Sequence, residues 1–515
     1  MYGAGDAERP RQSGKESGMA RTRVDVWNVT NAEGDWPAVL KDYEVAVGRL
    51  RDLDPPGTKP SNPLGWRFQA AIHGIRSEFG GADTSNTFWS NCQHGSWYFL
   101  PWHRMYLAAF ELIIQASLED EEWSLPYWYA IDPDDASKAA LPPAFLDLTL
   151  ADNNLQTEER SEVARSGGPF YGTIPVELLD SSLIDALQSD VFATPQGVAT
   201  FAGGERSDLN FSGDEAGLLE DVPHGLVHSL VGNDYVGNTV VNPGWMGSFY
   251  TAGLDPIFWL HHANLDRLWQ VWLELDDSHV NPTGDPAFLD TEFTFPHPTE
   301  GTVTWKIGDA LDTGYFGYEY ESVAPPSVLA PPEPTPPQPE DNVSRSGPRS
   351  EPSLPPRVLG AASDVSLTSA DRVSVEMTPD RRRDPVPEGV ERAYLRIEGI
   401  TGTTGAPLYG VYVNVPEGAD PADYPELRAG SVSTFGMEES SRTDETHDGG
   451  GLTATFDITG LRDRLAGAGR WDEELMQVSF TAHNPTAPGG DARRERDLEE
   501  DQPEVRARRV AVVVG

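Results

Sequence analysis

The chain has 515 residues, too many for one small domain and enough for a large core with an appended module. Aspartate and glutamate total 82 against 38 lysines and arginines, and the formal charge of −44 repels nucleic-acid phosphate and anionic membrane surfaces. Cys92 is the single cysteine, which excludes an intrachain disulfide framework, and no apolar run reaches membrane-spanning length.

The opening stretch is rich in Gly, Ser, Arg and Glu and lacks the apolar segment of a secretory signal, so residues 1–25 read as a disordered leader and the protein as cytoplasmic. Helical spacing begins at Trp36 and runs to Leu50, where Asp54 to Thr58 stop it. A second helix is predicted from Pro63 to Phe79 and a third from Ser96 to Leu118, with Pro101 near its entry and Glu111 inside an apolar region. Residues 130–210 read as loops with short helices. Structure tightens from Leu218 to Val231, passes a Gly/Asn-rich turn, and resumes as a strong helix from Asp255 to Leu275 anchored by Trp259, Trp269 and Trp272.

Paired prolines with Ser and Glu mark 323–357 as a semi-extended linker after a 26–322 core. Beyond it Arg372–Met377, Ala393–Ile397, Leu408–Val415, Leu452–Ile458 and Leu475–Phe480 favour strands, giving an antiparallel β-sandwich over 358–500 followed by a 501–515 tail. The predicted fold is a mainly α core, an antiparallel helical bundle with long loops, plus this C-terminal sandwich.

Seven of the eleven histidines fall into two groups: His73, His94 and His103, then His224, His228, His261 and His262. Neutral imidazoles suit a transition metal, whereas an acid-rich set would suit calcium or magnesium. His224 and His228 stand four apart and share a helical face. Two imidazole sets without cysteine or carboxylate in the usual zinc pattern favour two copper ions, because a close pair delivers two electrons together to dioxygen. His447 and His483 have no neighbouring ligand set in the sequence.

Phe99-Leu-Pro-Trp-His103-Arg-Met-Tyr-Leu and Asp255-Pro-Ile-Phe-Trp-Leu-His-His262-Ala-Asn-Leu-Asp-Arg-Leu-Trp269 resemble the tyrosinase, catechol oxidase and molluscan-type haemocyanin family over about Trp36 to Tyr320. That resemblance implies a type 3 copper pair, with His73, His94 and His103 on copper A and His224, His228 and His262 on copper B. It places His261 outside the ligand set, since neighbouring helical side chains diverge by roughly 100°. It also implies a thioether from Cys92 to His94, a water held by Glu220, and Phe249 lying over copper A. Gly225 stands where efficient monophenolases of the family often carry Asn. Asp266 either orients an imidazole or bonds Arg267 and the backbone.

The implied reaction is oxidation of o-diphenols or o-aminophenols to o-quinones or quinone imines with reduction of dioxygen to water. Tyrosinase chemistry, with ortho-hydroxylation of a monophenol first, is the enzymatic alternative, and reversible oxygen carriage is a third reading. Expected partners are dioxygen, a small phenolic or aminophenolic substrate and a copper-delivery protein, with neither nucleic acid nor membrane. The β region is expected to be a shield that holds the enzyme latent, a binding module, or a folding partner for the dicopper core.

Overall fold

A computed structural model describes residues 20–30, 36–55, 59–75, 86–147, 152–194, 198–207, 209, 215–330, 357–368, 372–378, 392–403, 405–443, 449–485 and 504–515. Five helices position the histidines: α1 (Ala38–Leu53), α2 (Trp66–His73), α3 (Phe99–Leu118), α4 (Gly225–Gly232) and α5 (Ile257–Leu275). α3 and α5 are apolar nearly all round and buried along most of their length, as helices at the centre of a large core should be. Phe110 stacks on Trp259 between them with ring centroids 3.5 Å apart. Pro101 sits in the first turn of α3, where a missing N–H breaks no helical bond. Asp255 fixes the start of α5 by accepting the Ile257 N–H, and Arg160 grips the same buried carboxylate at 2.6 and 2.8 Å.

α4 is entered through one π-helical turn, Glu220–His224, with Pro223 inside it. Proline has no N–H to offer the preceding turn, and the widened turn accommodates that gap. α2 stops at His73 rather than running to Phe79, because the chain turns into extended backbone at Gly74; residues 76–85 lie outside the described residues.

Among the described residues the C-terminal module has eight strands: β1 (Arg357–Ser366), β2 (Val373–Glu376), β3 (Ala393–Thr401), β4 (Leu408–Val413), β5 (Arg428–Ser433), β6 (Leu452–Asp457), β7 (Leu475–His483) and β8 (Arg506–Val514). They form two antiparallel sheets, β2-β7-β4-β5 and β6-β3-β8-β1. A single apolar cluster joins them, including Val411 and Val478 from one sheet and Leu395 and Val512 from the other.

Three boundaries differ from the sequence expectation. Within the expected 501–515 tail, Arg506–Val514 form β8, paired on both sides; Val510 to Val514 are buried, and the charges preceding them disguise a central strand. Within the expected 1–25 leader, Arg21–Arg23 form a strand that pairs in parallel with Tyr318–Tyr320. Arg23 is fully buried there because Glu111 receives its guanidinium at 3.0 Å. Most of the 323–357 linker, residues 331–356, lies outside the described residues, as does His447, while Arg357 already belongs to β1. Among the described residues no helix is long and apolar enough to cross a membrane.

Candidate metal centre

His73 ends α2, His94 lies in the loop before α3, and His103 stands in the first turns of α3. With Cys92 they present ligand atoms within 4.8 Å of one another, all buried. His224 closes the π turn, His228 lies on α4, and His261 and His262 lie on α5. The two groups face each other: His94 and His224 are 5.8 Å apart between ring centroids, and His103 stacks on His262 at 4.4 Å.

Backbone carbonyls set the tautomers. Nδ1 of His73 donates to Phe249 O at 2.9 Å, of His103 to Phe99 O at 2.8 Å, of His224 to Glu220 O at 3.0 Å and of His228 to Met246 O at 2.9 Å. A carbonyl can only accept, so Nδ1 carries the proton in each ring and Nε2 keeps its lone pair. Nε2 of His73 and His224 is buried with no hydrogen-bond partner among the described residues. Burial holds every one of these imidazoles below its ordinary pKa, His73 at about 4, so they are neutral at pH 7. Neutral, pre-aimed, buried imidazoles in two facing sets fit a pair of copper ions.

Both members of the His261–His262 pair reach the site. His261 completes a set with His224 and His228 within 4.8 Å, stacks parallel to His224 at 5.8 Å, and finds no hydrogen-bond partner among the described residues for either ring nitrogen. His262 brings its Nε2 to 3.2 Å from that of His228 and lies 6.1 Å from His73, so its ring stands between the two groups. The sequence placed His261 outside the ligand set; the α5 geometry brings it against the copper-B side.

Cys92 is fully buried between two rings, its sulfur 3.7 Å from His94 Nε2 and 3.3 Å from His103 Nε2, and burial pushes its thiol up. Phe249 lies flat on His94, centroids 4.3 Å apart and planes 8° apart. Glu220 accepts the Gly95 N–H on both carboxylate oxygens, at 2.8 and 3.0 Å, and burial pushes its carboxyl well up, with Asp221 adding to the shift. The Asp266 carboxylate meets Arg104, Arg23, Tyr318 and Tyr320, a buried network in which Arg23 and Arg104 stand where the sequence reading had Arg267.

Phe435, which carried no signal in the sequence, enters the site from the β module. It follows β5, stacks on His228 at 4.4 Å and 14°, and meets Phe249 edge-on at 4.5 Å. The next residue, Gly436, has φ +76°, and a Cβ there would stand 2.5 Å from the Phe249 ring. Gly225 leaves room for the same segment, since a Cβ would come 2.8 Å from Ser433 Oγ. What remains between His94, Glu220, His224, Phe249 and Phe435 is a cavity of about 40 Å³. That holds about three waters and no aromatic ring. Asp221 accepts the Ser433 N–H at 3.1 Å, and burial pushes its carboxyl up to about 7. Around the rim Arg392 pairs with Asp190, Arg396 with Glu215 at 2.6 Å and Arg428 with Asp185 at 3.6 Å, each arginine coming from the β module.

Residues 63–275 match the common central domain of tyrosinase, 283–333 the polyphenol oxidase middle domain, and 354–496 a domain of unknown function, DUF7868. The chain is similar to the tyrosinase HcTyr1 of Hahella sp. (strain CCB-MM4), 29% identical over 89% of this chain and 95% of that one. It is 30% identical to the chloroplastic polyphenol oxidase B of Solanum lycopersicum over 56% of this chain, and spans about half (48%) of that relative's length. Among solved structures the fold is similar to latent apple tyrosinase (TM-score 0.64, 22% identity, 97% of this chain and 98% of that one). Latent aurone synthase is also similar in fold (TM-score 0.62, 21% identity, 98% and 91%). Matched core, facing histidine sets and fold converge: the chain belongs to the type 3 dicopper family of tyrosinases, catechol oxidases and polyphenol oxidases, and carries a C-terminal β domain.

Proposed function

We propose that this chain is a latent copper oxidase that converts o-diphenols or o-aminophenols to o-quinones or quinone imines while dioxygen is reduced to water. In this reading His73, His94 and His103 hold one copper and His224, His228 and His262 the other. The observation that carries it is the set of backbone carbonyls that leaves Nε2 of His73, His103, His224 and His228 deprotonated within two facing groups. A bound copper pair supplies two-electron redox capacity toward dioxygen. The protein's part is to hold neutral imidazoles in place, to offer the Phe249 face to an aromatic ring, and to keep bulk water out.

Phe435 supports latency, because an aromatic ring already occupies the place over His228 that a substrate ring would take. Cleavage within 323–356 followed by loss of the β domain is expected to release activity. Oxygen uptake by the copper-loaded protein, before and after cleavage, with catechol, o-aminophenol and tyrosine as substrates, tests this. Equal rates before and after clean cleavage would sink the shield. Reversible oxygen binding without turnover, even after the domain is removed, would make the protein a carrier instead.

Monophenol hydroxylation is favoured as a second reading by the Hahella relative, which bears the name tyrosinase. Against it stands Gly225, which offers no side chain to hold a water beside His224. Turnover of tyrosine without a catechol primer would decide for it. We also place a thioether between Cys92 and His94 in the copper-matured protein; the peptide carrying both residues is then lighter by about two hydrogens, and unchanged mass after copper loading in air counts against the bond.

A further inference from the structure

Glu220 touches both halves of the site at once. Its carboxylate receives the buried N–H of Gly95, the residue after His94, on both oxygens at 2.8 and 3.0 Å. Its own carbonyl receives the Nδ1 proton of His224 at 3.0 Å. His94 and His224 face each other across the site, 5.8 Å between centroids and 29° between planes. One residue therefore spans from the backbone beside a ligand of the first group to the ring of a ligand of the second.

Local structure explains why residue 220 can do this. In an α-helix its carbonyl would be taken by the N–H of residue 224; in the π turn that bond moves to the Gly225 N–H, and the remaining lone pair faces the His224 ring. Gly95 has φ +61°, a left-handed conformation that turns its N–H away from the course of its loop and toward Glu220. Glu220 is the acceptor that satisfies this N–H, in a segment buried from Cys92 through Leu100.

We propose that Glu220 is a positioning residue, a strut whose length sets the separation of His94 and His224 and hence of the two coppers. The inference rests on the dicopper reading above. It gives Glu220 a task distinct from holding a water or accepting a substrate proton, and the two tasks make opposite demands on the side chain. A strut needs an acceptor at the reach of glutamate; charge is immaterial. A base needs a carboxylate; a methylene more or less is tolerated when a water bridges the gap.

Glu220→Gln and Glu220→Asp separate these demands, and both keep a polar group at the position. Each variant is loaded with copper, and bound copper per chain, copper affinity and the electron paramagnetic resonance signal of the oxidised protein are measured. Two cupric ions held close and bridged couple and are silent; ions held too far apart give a signal. Glu220→Gln is expected to bind both coppers silently with affinity within about threefold of the parent, whereas Glu220→Asp becomes visible and loses about 10-fold or more in affinity for one copper. The reverse order, a silent Asp variant and a visible Gln variant, overturns the strut, as does silence with unchanged affinity in both. If the parent itself fails to bind two silent coppers, the dicopper reading falls instead. The pH profile of catechol oxidation adds a second readout: Gln keeps the parent profile under the strut and loses its acidic limb under the base reading.

Discussion

His73 owes its direction to a glycine. A Cβ on Gly74 would stand 2.5 Å from the Phe249 carbonyl, the group that takes the His73 Nδ1 proton, so Gly74→Ala must push that carbonyl off the ring. Losing an outer partner of this kind lowers metal affinity by about 10-fold or more, and competition with a copper chelator measures it. His262→Gln should take the protein from two bound coppers to about one, while His261→Gln retains two, because only the His262 ring reaches both groups. A copper content that falls in the His261 variant instead would exchange their roles. At this scale the sequence was most legible: the seven histidines of its two groups lie together in the core, since fixed helical spacings and long motif strings restrict where an imidazole can go. Phe435 was not legible, because a phenylalanine among strand residues has the same text whether it faces its own core or another domain's.

Elements hold the site through buried charge as much as through apolar contact. Asp266 on α5 meets Arg104 on α3 and Arg23, Tyr318 and Tyr320 on the terminal strand pair, so it ties the two central helices to both ends of the core. Removing one partner leaves buried cations uncompensated, and Asp266→Ala is expected to destabilise the core by about 3–5 kcal/mol in chemical denaturation. A loss under about 1 kcal/mol would show that the network is incidental. Helix positions were readable from periodic apolar residues; the parallel pairing of Arg21–Arg23 with Tyr318–Tyr320 was not, because an arginine in a short polar leader reads as solvated until its carboxylate partners, Glu111 and Asp266, are seen beside it.

For the whole molecule the proposed latency turns on docking of the β domain on the core. Phe435→Ala gives up an aromatic wedge worth about 3 kcal/mol or more, so the uncleaved variant should gain activity toward the level of the cleaved protein. Asp221 makes docking depend on pH. Burial raises its carboxyl to about 7 from 3.8, so the docked form takes up a proton; this contribution is complete below 3.8 and is lost as pH rises through about 7. Across that window each pH unit shifts docking by up to about tenfold. The ratio of uncleaved to cleaved activity should therefore climb with pH up to about 7 and level off above it, and the climb should flatten in Asp221→Asn. A ratio independent of pH in the parent would remove Asp221 from the docking equilibrium.

By itself the sequence marked the chemistry of the centre: two groups of histidines and the long motif strings around His103 and His262, which through the family they resemble point to a copper pair and a class of reaction. These depend on residue type and local period, and both are written along the chain. Tertiary structure alone decided what covers the centre and what spaces it. Phe435 stands 207 positions along the chain from the His228 it covers, Glu220 stands 125 from Gly95, and β8 reveals itself as a central strand only when β1 and β3 flank it. Such contacts follow from how sheets and helices pack, where no local pattern distinguishes a residue that plugs a neighbouring site from one that fills its own core.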